Sequence, residues 1–351
     1  MSLVTLGDPD TMTGGYLYHR RMAAAAPHHG ARVRFVSFPN VPWPLATIVA
    51  SRAMEDAFAA DVCVLDSICA SLAAPWLWTR SPKRPVAAIL HQPPGGIDHG
   101  ALRSLAQRRL DLATYRRCVA LVLASSALES SLPRALADKS VVVPPGSDPY
   151  SGRARAARNL RAGRGAALLC AGNWVERKGI VDLVEAFADL PHATATLHLV
   201  GDPWAEPRYG AKVWLALERL DVLDRVVVHG PVSAGRLQEL YAGADLFVLP
   251  SLREPYGTVY GEAMASGLPV VGWRAGNLVH LATDGIEGAL VPVGDIPALR
   301  TAIRRLCTDG EERRRMGKAA RRRAAALPTW EQSARALFDV LHDVSGRARV
   351  V

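Results

Sequence analysis

The fold of this chain is decided by residues Pro250–Trp273, which read PSLREPYGTVYGEAMASGLPVVGW. The apolar run just before this stretch, Leu246–Leu249, predicts a buried parallel strand. Gly257 permits a sharp turn after a short loop, and a helix is predicted from Thr258 to the stop signal at Gly267. A second buried strand is predicted at Pro269–Gly272. The stretch therefore predicts one strand–loop–helix–strand repeat of a parallel α/β sheet.

The start of that helix is a candidate anion site. A helix N-terminus beyond the carboxyl end of a strand presents backbone amides, and those of Gly257, Thr258 and Val259 can hold a diphosphate. Glu254 lies before this terminus and Glu262 about one turn inside the helix. Each carboxylate can accept hydrogen bonds from sugar hydroxyls. The arrangement suits a nucleotide sugar, with its phosphates on the amides and its ribose and donor sugar on the two glutamates.

Glu254 and Glu262, separated by seven residues and followed by AMASGLPVV, resemble the E-x7-E motif of retaining glycosyltransferase family 4. The resemblance implies the α/β class and the GT-B fold, in which two Rossmann-like, doubly wound domains face a central cleft. It also implies that Glu254 contacts the hydroxyls of the donor sugar and that Glu262 holds the ribose. The alternative is an ordinary strand–loop–helix with solvated carboxylates.

Length and composition fit such a protein. The chain has 351 residues, 49% of them hydrophobic, which is enough for two domains of about 150 residues. Without a run of about 18 apolar residues or a leader before the strand-like Ser2–Leu6, we expect no transmembrane helix and no secretion signal. Five cysteines without a C-x-x-C pair favour a reduced, cytoplasmic setting. The net charge of +9 fits nucleotide phosphates, a lipid surface or nucleic acid, or is a plain bias towards Arg.

Alternating strand and helix patterns predict the domain organisation. An N-terminal Rossmann-like domain at 1–150 is the acceptor side, and an Arg-, Ala- and Gly-rich linker follows at 151–165. A C-terminal Rossmann-like domain at 166–328 is the donor side. The last helix, 329–351, starts with a capping-box pattern at Thr329–Gln332, and the resemblance implies that it crosses back to the N-terminal domain. The predicted strands outside the motif are Arg32–Ser37, Val62–Asp66, Val86–Leu90, Ala120–Ala124, Ser140–Val143, Ala166–Gly172, Thr196–Val200 and Arg225–His229.

Two features of the first domain are candidate ligand contacts. Gly14 and Gly15, at a strand-to-helix turn, resemble the family's Gly-rich loop that faces the donor diphosphate. They do not form the G-x-G-x-x-G fingerprint of NAD enzymes. His91 follows a predicted strand at its carboxyl end, where ligands bind in parallel sheets. The resemblance implies that His91 lies near donor sugar and acceptor; a histidine satisfied by loop backbone is the alternative. His99 is a weaker candidate.

The second domain supplies further donor contacts. Its first strand is followed by a loop that resembles the family's phosphate-binding loop. Lys178 matches the Lys of that loop. Asn173 stands at the usual Arg position, so Arg177 is the candidate for the missing charge; an exposed surface Arg is the alternative. The resemblance implies that the backbone at Gly230 and Val232 touches the nucleotide base.

The predicted activity is retaining transfer of a sugar from a UDP- or GDP-type nucleotide sugar to a hydroxyl on a small molecule, glycan or lipid. His91, Glu254 and Lys178 are the candidate catalytic residues. No metal or other cofactor is expected, because cationic side chains and helix amides can neutralise the leaving diphosphate. Asp8-Pro-Asp10 has the D-x-D spacing of a metal site, but a turn in the first-domain loop is favoured.

Alternatives stay open. A GT-B-like epimerase or phosphorylase and a non-catalytic sugar-nucleotide-binding subunit both fit the motif. A nucleic-acid binder is disfavoured, because no aromatic–basic interleaving occurs. The Arg-rich helix Leu102–Arg117 is either a solvated outer face or a peripheral contact at the inner membrane face. Gly276, Asn277 and His280 depart from the family pattern of Gly-Gly and a later Glu, which puts sugar contacts at that loop in doubt.

Overall fold

The structure is a computed structural model of the chain. It describes residues 1–8, 14–38, 53–80, 82–98, 100–147 and 155–347. The candidate His99, Asp10 of the D-x-D pattern and the first residues of the predicted linker, 151–154, lie outside the described residues. The chain divides into two compact units, one formed by Met1–Gly146 with Pro328–Val351 and the other by Ser147–Leu327.

The first unit is built on a parallel six-stranded sheet in the order β2-β1-β3-β4-β5-β6. The four inner strands are mostly apolar and buried, because helices cover both faces of such a sheet. Its strands are β1 (Ser2–Leu6), β2 (Arg34–Phe38), β3 (Cys63–Asp66), β4 (Val86–Leu90), β5 (Ala120–Leu123) and β6 (Ser140–Val142). Its helices are Gly14–Ala25, Ala70–Thr79, Ala101–Arg117, Arg134–Ala137 and Trp330–Arg347, with a further helical segment at 53–57.

The second unit repeats the plan, with a parallel six-stranded sheet in the order β12-β11-β10-β7-β8-β9. The central strand β7 has β10 on one side and β8 on the other, so the chain reverses its direction of travel across the sheet at β7. The strands are β7 (Ala166–Ala171), β8 (Ala195–Val200), β9 (Val226–Gly230), β10 (Leu246–Val248), β11 (Val270–Trp273) and β12 (Gly288–Val291). The helices are Ile180–Ala188, Pro207–Arg219, Ala234–Gly243, Thr258–Ala265, Leu278–Leu281, Ile296–Thr308 and Gly310–Ala325.

The α/β class with two doubly wound halves, predicted from the sequence, is confirmed. Strand β4 has the predicted bounds, and the motif helix starts at Thr258 as predicted but ends at Ala265 instead of Gly267. The strand β12 was not predicted. Its four residues do not alternate between polar and apolar side chains, so the sequence gives no strand signal there. The strand is defined by its pairing with β11.

The Arg-rich helix Ala101–Arg117 exposes leucines and buries polar residues. Leu102 and Leu105 are 87% and 50% exposed. The buried face carries Gln107, Asp111, Thr114 and Tyr115. The Thr114 hydroxyl donates to the Ala70 carbonyl (2.7 Å), and the Asp111 carboxylate accepts the Gly95 amide (2.8 Å). Hydrogen bonds to neighbouring segments therefore choose the inward face. Within the described residues, no helix combines the length and the apolar content needed to cross a bilayer.

The last helix groups with the first unit. Its capping box is formed: the Thr329 amide donates to Gln332 Oε1 (2.8 Å) and the Gln332 amide donates to Thr329 Oγ1 (3.2 Å). The Ser333 hydroxyl donates to the Pro144 carbonyl (2.7 Å). Apolar residues of this helix, among them Phe338, share a core cluster with the first sheet. Local sequence thus sets where the helix starts, and its apolar face sets where it docks.

Candidate functional site: a donor loop in the second unit and a histidine cluster in the first

The loop after β10 turns into the motif helix at Gly257. This residue has φ 81° and ψ 45°, a left-handed conformation that favours glycine. A Cβ at Gly257 would lie 2.7 Å from Cδ2 of Tyr260. The Tyr260 ring cannot easily yield, because it is 1% exposed and its hydroxyl donates to the Leu249 carbonyl (2.5 Å). The glycine thus sets the position of the helix N-terminus relative to the strand before it.

Glu254 and Lys178 form an ion pair beside this turn. They lie 76 residues apart in sequence but meet because β7 and β10 are parallel neighbours, so their carboxyl ends share one edge of the sheet. Both are largely enclosed: the side chains of Lys178 and Glu254 are 10% and 13% exposed. Arg177 Nη1 lies 3.9 Å from Glu254 Oε2 and donates to the Arg253 carbonyl (3.3 Å). Both cationic candidates of the loop after β7 therefore face the first glutamate of the motif.

Glu262, the second glutamate, lies inside the helix and is partly buried. The Tyr241 hydroxyl donates to Glu262 Oε2 (3.1 Å) and is 3.4 Å from the Val259 carbonyl. Burial, together with the negative Glu262 nearby, raises the pKa of Tyr241 well above its usual range. Tyr241 therefore stays a hydrogen-bond donor, and it orients the carboxylate of Glu262. Sequence reasoning missed Tyr241, which gives no local signal.

Asn277, one of the departures from the family pattern, anchors the loop that carries Glu254. Its backbone amide donates to the Glu254 carbonyl (2.9 Å), and its side-chain Nδ2 donates to the Tyr256 carbonyl (2.7 Å). Asn277 is 3% exposed, and its Oδ1 is buried without a hydrogen-bond partner among the described residues. Asn277, which departs from the family pattern, therefore holds the backbone of the loop that carries Glu254.

The remaining candidates of the second unit, Asn173, Gly230 and Val232, lie at the same edge of the sheet. Asn173 is exposed, and its Oδ1 accepts the Asp202 amide (3.1 Å), which joins the loops after β7 and β8. Gly230 ends β9, and Val232 follows it, partly buried. Because β7, β8 and β9 are adjacent and parallel, these residues share one carboxyl edge.

In the first unit, His91 directly follows β4 and packs against the helix that starts at Gly14. A Cβ at Gly15 would lie 3.5 Å from His91 Cδ2, and the Tyr18 ring meets the His91 ring edge-on at 5.1 Å. Gly14 is exposed at the helix start. Two polar residues that sequence reasoning missed lie behind His91: His19 Nε2 is 2.6 Å from Asp66 Oδ2.

Burial governs the protonation of this cluster. Burial lowers the pKa of His91 to about 4, against the opposing attraction of Asp66, so His91 is neutral at pH 7. Burial alone would raise the pKa of Asp66, but the facing His19, which shares a hydrogen bond with it, and His91 outweigh burial and lower that pKa to about 2. Asp66 is therefore a carboxylate at neutral pH.

Comparison with known proteins gives a family match in the second unit. Residues 154–323 match the family described as glycosyl transferases group 1. The match covers most of the second unit, Ser147–Leu327. The group 1 domain contains every second-unit candidate, from Asn173 to Glu262, and the resemblance to glycosyltransferases predicted from the sequence is confirmed.

Curated relatives of the chain include glycosyltransferases. D-inositol 3-phosphate glycosyltransferase of Xylanimonas cellulosilytica is 33% identical over 221 residues, which are 60% of this chain and 52% of the relative. The chain thus spans about half of that relative's length. Among solved structures, sucrose-phosphate synthase from Thermosynechococcus elongatus has a TM-score of 0.83 at 22% identity over 99% of both chains. Anabaena HepE in complex with UDP-glucose has a TM-score of 0.80 at 20% identity over 98% of this chain and 100% of its own. The likeness establishes the GT-B fold.

Proposed function

We propose that the chain is a retaining glycosyltransferase that transfers a sugar from a nucleoside-diphosphate sugar to a hydroxyl acceptor. One observation carries this proposal: in a group 1 domain, the Lys178–Glu254 ion pair lies beside the N-terminus of the helix Thr258–Ala265. The solved complex of HepE with UDP-glucose supports a UDP-type donor, and the inositol phosphate relative supports a small hydroxyl acceptor. GDP-type donors and glycan or lipid acceptors are the other outcomes of the test.

When the donor binds, Lys178 and Glu254 each give up the other and bind a part of the donor. The first-turn amides of the helix and its dipole attract the diphosphate. The Lys178 ammonium, freed from Glu254, then binds phosphate oxygens, with Arg177 beside it. Glu254 in turn accepts hydroxyls of the donor sugar. The same groups stabilise the charge that develops on the leaving diphosphate, which is the largest expected catalytic contribution; no metal is needed in this scheme.

The other contacts follow from position. Glu262, oriented by Tyr241, accepts the ribose hydroxyls. The backbone at Gly230 and Val232 touches the base, and Asn173 lines the phosphate loop. In the first unit, Gly14 and Gly15 approach the diphosphate, and His91 contacts the transferred sugar as a neutral imidazole.

The test is a product assay with the purified protein. UDP- and GDP-sugars are offered with inositol phosphates, simple glycosides and lipid acceptors, products are identified by mass spectrometry, and the anomeric configuration of donor and product is compared by NMR. We expect transfer with retention. Glu254→Gln should abolish transfer while donor binding largely remains. Glu287→Gln, which alters another buried glutamate of the same unit, should leave transfer unchanged.

Other outcomes select the alternatives. Free nucleoside diphosphate or an altered sugar nucleotide without an acceptor product would favour hydrolysis or epimerisation. Donor binding without turnover for any acceptor would favour a binding subunit. Equal turnover of Glu254→Gln and the unchanged protein would refute the role given to Glu254.

A further inference from the structure

The cluster of His19, Asp66 and His91 in the first unit has no assigned role beyond that of His91. Their candidate ligand atoms all lie within 4.8 Å of one another. His19 is 0% and Asp66 3% exposed. Burying an ionised carboxylate with a histidine is costly, and an apolar pair of similar volume would fill this space as well or better for stability. Stability alone therefore does not explain why these two groups are buried.

A metal site is the first possibility, but the spacing points elsewhere. Zinc holds His and Asp ligands at about 2.0–2.2 Å in tetrahedral geometry, which separates neighbouring ligand atoms by about 3.3–3.6 Å. His19 Nε2 and Asp66 Oδ2 are 2.6 Å apart, the distance of a charge-assisted hydrogen bond. The two atoms are thus already joined to each other.

Asp66 reaches His91 by two routes. Its Oδ2 holds His19, whose ring meets the His91 ring edge-on with centroids 4.8 Å apart. Its Oδ1 accepts the Ser67 hydroxyl (3.0 Å), and Ser67 Oγ accepts the His91 amide (3.1 Å). The sheet order explains the convergence, since β3, which ends at Asp66, lies between β1 and β4.

His91 depends on these neighbours for its orientation. Its Nε2 is buried without a hydrogen-bond partner among the described residues, so no bond from that nitrogen holds the ring. One face of the helix Gly14–Ala25 contacts the ring instead, through Gly15, Tyr18 and His19, which lie at helical spacing i, i+3 and i+4. Only His19 on this face is itself fixed by a buried ion.

We propose that Asp66 and His19 are positioning residues that hold the ring and the backbone of His91 in the orientation that meets the donor sugar. This inference rests on the proposed function, which places His91 against that sugar. Second-layer hydrogen bonds of this kind orient a reacting group without touching the ligand, and misplacing such a group costs about 10- to 100-fold in rate.

The kinetic test is a double-variant cycle. Asp66→Asn and His19→Gln should each lower kcat about 10- to 100-fold, with a much smaller change in KM for the donor. In a His91→Ala background, neither substitution should lower kcat further. Tyr18→Phe is the matched control, because it removes a buried hydrogen bond of the same helix (to the Val143 carbonyl, 3.3 Å) and keeps its ring against His91. Losses in the His91→Ala background equal to those in the unchanged protein would overturn the proposal.

A spectroscopic test does not need activity. In protein with 15N-labelled histidine, the His91 ring signals, assigned by their loss in His91→Gln, should shift in Asp66→Asn and in His19→Gln, because both substitutions change what holds the ring in place. Unchanged His91 signals in Asp66→Asn and His19→Gln would refute positioning even if no donor is ever found. Where Asp66→Asn does not fold, Ser67→Ala cuts the backbone route alone. Stoichiometric zinc binding that shifts the His91 signals would overturn the proposal in favour of a metal site.

Discussion

Gly257→Ala tests the turn on which the donor loop depends. In the left-handed conformation at φ 81°, alanine loses about 1 kcal/mol relative to glycine, partly offset by a smaller entropy of the unfolded chain. The added Cβ would also lie 2.7 Å from the Tyr260 ring and 3.3 Å from Glu254 Cγ and Leu281 Cδ1. Overpacking of this kind typically costs about 1–3 kcal/mol.

Gly294→Ala is the matched control, because Gly294 has φ 78° and nothing within 4 Å of a built Cβ. The difference between the two variants therefore isolates overpacking, and we expect Gly257→Ala to be less stable by about 1–3 kcal/mol. The two units need not unfold together, so hydrogen exchange of peptides covering 246–273 is the suitable measurement. Donor affinity, measured by calorimetry, should fall only in Gly257→Ala. Equal protection and equal affinity in both variants would refute the reasoning.

Three further predictions concern candidate residues in the second and in the first unit. Lys178→Met should lower the stability of the second unit by about 1–3 kcal/mol, because Glu254 stays enclosed and loses its ion pair with Lys178, and Glu254→Gln added to it should restore part of that loss in urea unfolding. The histidine His91 has its pKa lowered to about 4 by burial, so the folded state binds fewer protons than the unfolded one between pH 6.5 and 4. The free energy of unfolding of the unchanged protein, relative to that of His91→Gln, should then be constant above pH 6.5. It should fall by about 3 kcal/mol at most as pH falls towards 4; a relative free energy that does not change with pH would contradict the lowered pKa of His91. Gly15→Ala has room beside His91, with the nearest atom at 3.5 Å, so stability should hold while donor affinity falls if the diphosphate approaches the backbone there; calorimetry showing equal affinity would remove Gly15 from the donor site.

Local patterns were read correctly where neighbouring residues decide the outcome. The capping box at Thr329 forms as its spacing predicts, and β4 occupies its predicted bounds because Val86–Leu90 is an uninterrupted apolar run. The sequence of the helix Ala101–Arg117 did not show which face is buried, since periodicity shows that a helix has faces but not which face finds partners. Two hydrogen bonds, accepted by Asp111 from the Gly95 amide and donated by Thr114 to the Ala70 carbonyl, lie on its buried face.

The sequence by itself determined the alternation of strands and helices, the E-x7-E pair and the glycine turn within it, because propensity, apolar runs and turn chemistry act within a few residues. Only the tertiary structure decided that Lys178 meets Glu254, that Asn277 supports the same loop, and that Asp66 and His19 stand behind His91. Each of these contacts joins residues that are distant in the chain. They arise from the order of parallel strands, which brings carboxyl ends to one edge of a sheet and which no local pattern encodes.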